Sequence, residues 1–211
     1  MANSLENRQY FPAFAELPIV DEFLDPNYYM EVAGGGILPT KTWCFFAEIM
    51  DDSLSQMPEF FNRCEVRDIT GETCSVLFGN DAGVFDFREL RVGVSLFVRY
   101  ACKCYFSDLA TQVLKVDDLS MAKVIAAPPD LLLGLSQYYY GDRGRCAGCR
   151  QALPAAGGLS WCPGCSAAAY CRDDCMQRHA REHRDHCHLC SELSSVLSID
   201  FDRFVEPVPF R

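Results

Sequence analysis

The sequence predicts a mainly β protein: a small five-stranded barrel over residues 41–127, a linker helix over 128–144, and a cysteine-rich finger over 145–190 that ends in a helix. Three observations predict it. Apolar residues alternate with period two through much of the stretch from Lys41 to Ile125, the signature of half-buried strands. Pro128-Pro129-Asp130 opens a run with apolar residues three and four apart, the spacing of a helix face. Between Cys146 and Cys187, seven cysteines and one histidine fall in four close pairs, a density of soft donors that signals metal ligands.

Composition bounds the alternatives. A chain of 211 residues accommodates one ordinary core plus a small appended module. No run approaches eighteen apolar residues, so no membrane span is expected. The first residues have no basic segment leading into an apolar one, so the expected compartment is reducing, cytoplasmic or nuclear. The net charge is −10, and residues 1–140 carry all of it, with ten Lys or Arg against twenty Asp or Glu. That excess opposes wrapping of a phosphate backbone, because nucleic-acid affinity comes largely from counterions released by Lys and Arg.

Residues 1–40 lack steady periodicity, but Phe11, Phe14, Leu17, Ile19, Phe23 and Leu24 are too apolar for a free tail. An extension packed on the barrel is expected. Gly34-Gly35-Gly36 lacks the Lys-Ser/Thr of a phosphate-binding loop and reads as a flexible hinge. Trp43, Phe45, Ala47 and Ile49 then face one way along a first strand. Cys64 to Asp68 and Cys74 to Phe78 read as a hairpin turned at Ile69-Thr70-Gly71-Glu72. Pro58 to Asn62 precedes it and a loop from Gly79 to Gly83 follows. Phe85 to Leu90 reads as one helical turn before a strand over Val92 to Ala101, and a fifth strand lies at Thr111 to Val116 or Met121 to Ile125, or at both. Cys102 and Cys104, two apart with no second pair close by, suit a strand rather than a metal site.

This succession resembles an OB-fold, most of all in the hairpin at Asp68-Ile-Thr-Gly71, the helical turn and the strand opening on Gly93; an SH3-like barrel or a sandwich shows similar alternation. The OB resemblance implies single-stranded nucleic-acid binding by base stacking in a positive groove. The acidic charge argues against it.

Asp130 can cap the linker helix, on which Leu131, Leu132, Leu135, Tyr138 and Tyr139 form the apolar face, and Gly141 ends it. In the finger, the C-x2-C steps Cys146/Cys149 and Cys162/Cys165 each place two sulfurs on one tight turn. Both can then reach a tetrahedral ion at roughly 2.3 Å, and a closed site takes four such ligands. Cys171 and Cys175 are four apart, as are His183 and Cys187, so one helix face presents the last pair to a single ion. A helix is expected over roughly 173–188, with Asp173 and Asp174 in its first turn. Eight ligands make two closed sites and two Zn2+ per chain. Disulfides would need an oxidising compartment and leave one of thirteen cysteines unpaired. Cys190, His179, His186 and His188 read as bystanders, the histidines as solvated helix residues. Pro154, Gly157 and Gly158 mark residues 150–161 as a solvent loop. Seven arginines (Arg143, Arg145, Arg150, Arg172, Arg178, Arg181 and Arg184) read as compensating the anionic clusters and the acidic remainder of the chain.

The order C-x2-C, C-x2-C, Tyr170 before Cys171, C-x3-C, then His183 eight and Cys187 twelve beyond Cys175 resembles the MYND zinc finger. The resemblance covers about 45 residues. It implies interleaved ligation, with Cys146, Cys149, Cys171 and Cys175 on one zinc and Cys162, Cys165, His183 and Cys187 on the other. It also implies a shallow groove for proline-containing peptides. The family's Gln after the sixth cysteine and Trp four residues later are here Met176 and Ala180, and Gln177 stands one place late. Trp161, Tyr170 and Gln177 are therefore the candidate partner-binding residues, with any proline preference weak.

The functional expectation is a zinc-binding protein–protein interaction adaptor with a protein partner. Catalysis is not expected, because every strong ligand closes a four-donor site and a catalytic zinc keeps a position open. Zinc deaminases need an H-x-E step that is absent. The chain is also too short for a SET-type methyltransferase domain and lacks its asparagine-histidine motif. Residues 191–211 read as a tail, helical at first and extended at its end.

Overall fold

The computed structural model describes residues 4–20, 24–57, 62–79, 85–106, 110–141, 143–154 and 158–210. Phe23, residues 58–61, most of the 79–83 loop and Gly157 lie outside them. The chain is mixed α and β. It divides into two compact units, Asn7–Pro129 with Asp200–Arg211, and Asp130–Ile199 with Met1–Glu6.

The larger unit is built on one sheet. After a hairpin of β1 (Tyr29–Val32) and β2 (Gly36–Pro39) come β3 (Cys44–Ile49), a short helix α1 (Ser53–Gln56), β4 (Arg63–Asp68), β5 (Thr73–Phe78), β6 (Ser95–Arg99), β7 (Cys102–Tyr105), β8 (Gln112–Val116) and β9 (Ala122–Ile125). The sheet order is β7-β8-β5-β4-β3-β6-β9. All pairs are antiparallel except β5 with β8. Strict alternation is real in β4, where Cys64, Val66 and Asp68 point inward and Arg63, Glu65 and Arg67 outward. In β6 every residue is buried, so both of its faces are covered.

The small five-stranded closed barrel is thus corrected to a seven-stranded sheet, and no ladder among the described residues joins its ends. Alternation identifies strands but carries no information on pairing, and β7 and β9 extend the sheet at its two edges. The sheet is nonetheless strongly coiled. β7 stands first and β6 sixth, about 24 Å apart across a flat sheet at about 4.8 Å per strand, yet the chain from Arg99 to Cys102 reaches at most about 10 Å. Tyr100 makes that corner with a φ of 53°. The outer edge of β7 is covered, because Lys103 N donates to Pro18 O at 2.8 Å and Val20 N donates to Lys103 O at 2.9 Å. Covering an edge in this way removes a template for further pairing.

Gly34-Gly35-Gly36 is a second correction. It turns the β1–β2 hairpin, with Val32 opposite Gly36 and with Gly34 and Gly35 at φ of 107° and 81°, a region side chains rarely adopt. The expected hinge is a fixed turn.

The core gathers Phe45, Ala47, Ile49, Val66, Val76, Phe78, Leu96, Val98 and Leu114 with Phe14, Leu17, Tyr28 and Trp43. Trp43 is wholly buried, donates from Nε1 to Ala101 O at 2.8 Å and meets the rings of Tyr28, Tyr29 and Tyr100 edge-on. Phe201 packs between Tyr10 and Phe11, and its carbonyl accepts from Thr42 N at 2.9 Å.

In the smaller unit, α2 (Pro129–Ser136) runs into a π-helical turn, Gln137–Gly141. The strands β10 (Ser160–Trp161) and β11 (Ala169–Tyr170) pair, and α3 (Asp173–Arg184) and α4 (Cys187–Leu197) follow. The single helix expected over 173–188 is two, broken at residues 185 and 186, and the start of the expected tail belongs to α4. No helix of the described residues is long and apolar enough to cross a membrane.

Asp68 ties the N-terminal segment to the sheet. Its Oδ1 accepts from Thr70 N, Thr70 Oγ1 and Glu72 N at 2.8, 2.6 and 3.0 Å, and its Oδ2 from Phe14 N at 2.8 Å. Burial opposes the charge, but these bonds outweigh it and hold the carboxyl below its ordinary value. Removing the acceptor leaves buried amides unsatisfied, so Asp68→Ala is expected to lower stability by about 3 kcal/mol in urea unfolding. Because the folded pKa is depressed, the contribution is complete above pH 4 and is lost as pH falls further; the stability gap between wild type and Asp68→Ala should narrow below about pH 4.

Candidate metal centre

Two four-donor clusters form in the smaller unit. Cys146, Cys149, Cys171 and Cys175 make the first, and Cys162, Cys165, His183 and Cys187 the second, with all donor atoms of each within 4.8 Å of one another. The chain interleaves them: the first pair of the second site lies between the two pairs of the first.

The spacing fits tetrahedral metal binding. Sulfurs about 2.3 Å from one ion stand about 3.8 Å apart. Cys149 to Cys171 is 3.8 Å, Cys171 to Cys175 3.5 Å and Cys162 to Cys187 3.6 Å. His183 Nε2 lies 3.1 Å from Cys162 Sγ and 3.4 Å from Cys165 Sγ. These separations are far beyond a disulfide bond of about 2.05 Å, and all thirteen cysteines are free.

Local hydrogen bonds favour the thiolate at Cys146 in the first set and at Cys165 in the second. Burial works against charge on Cys146, but the amides of Cys149, Cys171 and Gly148 together prevail and bring its thiol down to about 6. A hydrogen bond from Cys190 is the largest influence on Cys165; with the amides of Ala167 and Ala168 it overcomes burial and brings that thiol to about 4. Each Gly-containing turn is also sterically committed. A Cβ on Gly148 would lie 2.7 Å from the Cys175 carbonyl oxygen, and one on Gly164 2.9 Å from Cys187 Sγ.

The π-helical turn supports these sites through three consecutive tyrosines. Tyr138 donates to Ala147 O at 2.6 Å and Tyr140 to Cys190 O at 2.9 Å. The Tyr139 hydroxyl is 3.0 Å from His183 Nδ1. If Nε2 held a metal, Nδ1 would carry the ring proton and donate to this oxygen, which would fix tautomer and ring orientation. The π turn widens the helix so that three successive side chains address three parts of the finger.

Of the seven arginines, two reach the clusters. Arg178 Nη2 lies 3.5 Å from Cys175 Sγ, and Arg172 hydrogen-bonds the same sulfur. Arg150 and Arg143 instead lie over the rings of Tyr138 and Tyr140. The two sites differ in exposure: in the first, Cys149 and Cys171 are half-buried, while in the second only Cys187 is.

Several residues take other roles than the sequence suggests. His179 is buried rather than solvated, with Tyr170 Oη 3.1 Å from its Nδ1 and its ring stacked near His183. Tyr170 is wholly buried and offers partners no surface, whereas Trp161 is 49% exposed and Gln177 is exposed on α3. Cys190 is wholly buried, and its hydrogen bond to Cys165 together with burial pushes its pKa up, so it stays a thiol. No sequence spacing distinguishes Cys190 from a core cysteine. The three tyrosines were the available signal for support.

No model of a known protein family matches this sequence, and a search of curated proteins finds no match. The donor sets themselves carry the assignment: two sites able to hold two metal ions, closed on all four sides by protein.

Gly148→Ala is expected to reduce bound metal from two ions to one, read by native mass spectrometry, because its neighbour is main chain and cannot yield. Chelation should abolish hydrogen-exchange protection across Asp130–Ile199 and leave β3 to β9 protected, since structural metal contributes on the order of 10–16 kcal/mol to comparable small modules.

Proposed function

We propose that this chain is a zinc-binding protein–protein interaction adaptor, its finger of MYND type and its role non-catalytic. The observation that carries this reading is the pairing of two fully closed four-donor sites with an exposed tryptophan displayed by the hairpin they brace. Cysteine-rich tetrahedral donor sets favour zinc, and closed sites build structure rather than activate water. The finger then acts as a rigid platform.

Trp161 is the anchor on that platform. Leu159 is 36% exposed next to it, and Tyr138, Arg143, Arg145, Ala147 and Ala167 border a shallow concavity at its ring. An aromatic side chain on a braced strand supplies contact area at little entropic cost. Ala180 offers no wall on α3, so a peptide groove there is reduced and any preference for proline-containing peptides is weak. Gln177 provides the amide nearest in sequence to the family position.

Trp161→Ala is expected to weaken capture of protein partners at least tenfold while two metal ions remain bound, measured by comparing immobilised wild type and variant against the same purified partner. Unchanged affinity would place the partner surface elsewhere.

A further inference from the structure

The segment after Phe201 has no regular secondary structure and is part of the larger unit; Val205 is 69% and Val208 36% exposed. Phe204 is half-buried with its ring edge-on to Tyr100, whereas residues 208–210 are held by main chain and one ring. Arg99, on β6, is 3% exposed, and its Nη1 donates to both Val208 O and Pro209 O, at 2.8 and 3.0 Å. Its guanidinium lies over the Phe210 ring, 3.9 Å from the centroid. Phe210 N donates to Ser120 O at 2.8 Å.

This is a receptor-like arrangement. A buried guanidinium is costly to desolvate, and burial pulls its pKa below the ordinary arginine value. Two aligned carbonyls satisfy part of its fork, and an aromatic face covers the plane. The recognised features are therefore consecutive carbonyls, the second on a proline, followed by an aromatic ring. Proline holds that segment extended before it docks, which lowers the entropy lost on binding. Nothing in the contacts requires the ligand to be covalently continuous with Phe201.

We propose that the Arg99 cleft is a binding site for an extended Pro-aromatic segment, occupied in cis by Val208-Pro209-Phe210 and exchangeable for a segment of the same chemistry on a protein partner. This site is separate from the finger and does not rest on the finger's role. The cis segment acts as a resident competitor. Its short tether to Phe201 gives it an effective concentration of order millimolar, so a partner must displace it. The strongly buried anchors at Phe201 and Thr42 stay in place when residues 204–210 lift away.

The test uses fluorescence anisotropy with a labelled Glu-Pro-Val-Pro-Phe peptide. Three proteins are compared: the full chain, a chain ending at Arg203, and full-length Phe210→Ala, which loosens the latch while keeping the chain length. The shortened chain and Phe210→Ala are expected to bind the peptide at least tenfold more tightly than the full chain. A peptide with Phe replaced by Ala should not bind, and Arg99→Gln in the shortened chain should remove binding. Equal affinity for all three proteins, or no binding by a shortened or Phe210→Ala chain with native circular dichroism, overturns the proposal. Should the shortened chain fail to fold, Phe210→Ala decides; unfolding of both would show the segment to be an inseparable part of the core and would overturn the proposal equally.

Discussion

Two tetrahedral donor sets, threaded through one another, are the constraint on which the smaller unit depends. In sequence, Cys162 and Cys165 lie between the two pairs of the first set, Cys146 with Cys149 and Cys171 with Cys175. Closing either set on an ion would therefore also restrain chain that belongs to the other. The β10–β11 hairpin lies between donors of the two sets, with Cys162 N donating to Ala168 O and Ala147 N to Ala169 O, so candidate ligands flank the hairpin that carries the exposed Trp161. The tyrosines of the π-helical turn extend the same constraint into α2, which is continuous with the finger rather than a spacer before it.

The larger unit is organised by a different kind of restraint. Its N-terminal segment is anchored by buried polar groups that reach main chain: the Asp68 carboxylate takes the Phe14 amide, and Lys103 Nζ donates to Ala15 O at 2.9 Å. Apolar packing of Phe14 and Leu17 supplies the driving force, while these bonds select one register. The same logic appears at Arg99 and the segment 208–210. Charged side chains on the sheet thus fix where irregular chain crosses it.

The two donor clusters were legible because a metal-binding set demands residue type and spacing together, and both are local. The β4–β5 hairpin was legible for a similar reason, its alternation and its glycine turn lying within sixteen residues of sequence, Arg63 to Phe78. Sheet order was not, since β5 beside β8 is a nonlocal pairing that alternation does not encode. The β1–β2 hairpin was missed because its strands expose both faces and so show no period. The break between α3 and α4 was hidden by the His183–Cys187 spacing, which suits a continuous helix and also suits two ligands meeting one ion across a kink. Burial of Tyr170 and His179 depended on each other, and no single-residue signal announces such a pair.

The chain holds two tryptophans, and the fold puts them in opposite surroundings. Trp43 is sealed in the larger unit among tyrosine rings, while Trp161 faces solvent in the smaller one. Their indoles therefore emit at different wavelengths, the first to the blue and the second to the red, and only the second is open to a dissolved quencher. Intrinsic fluorescence consequently separates the two units optically without any label, each carrying its own lamp.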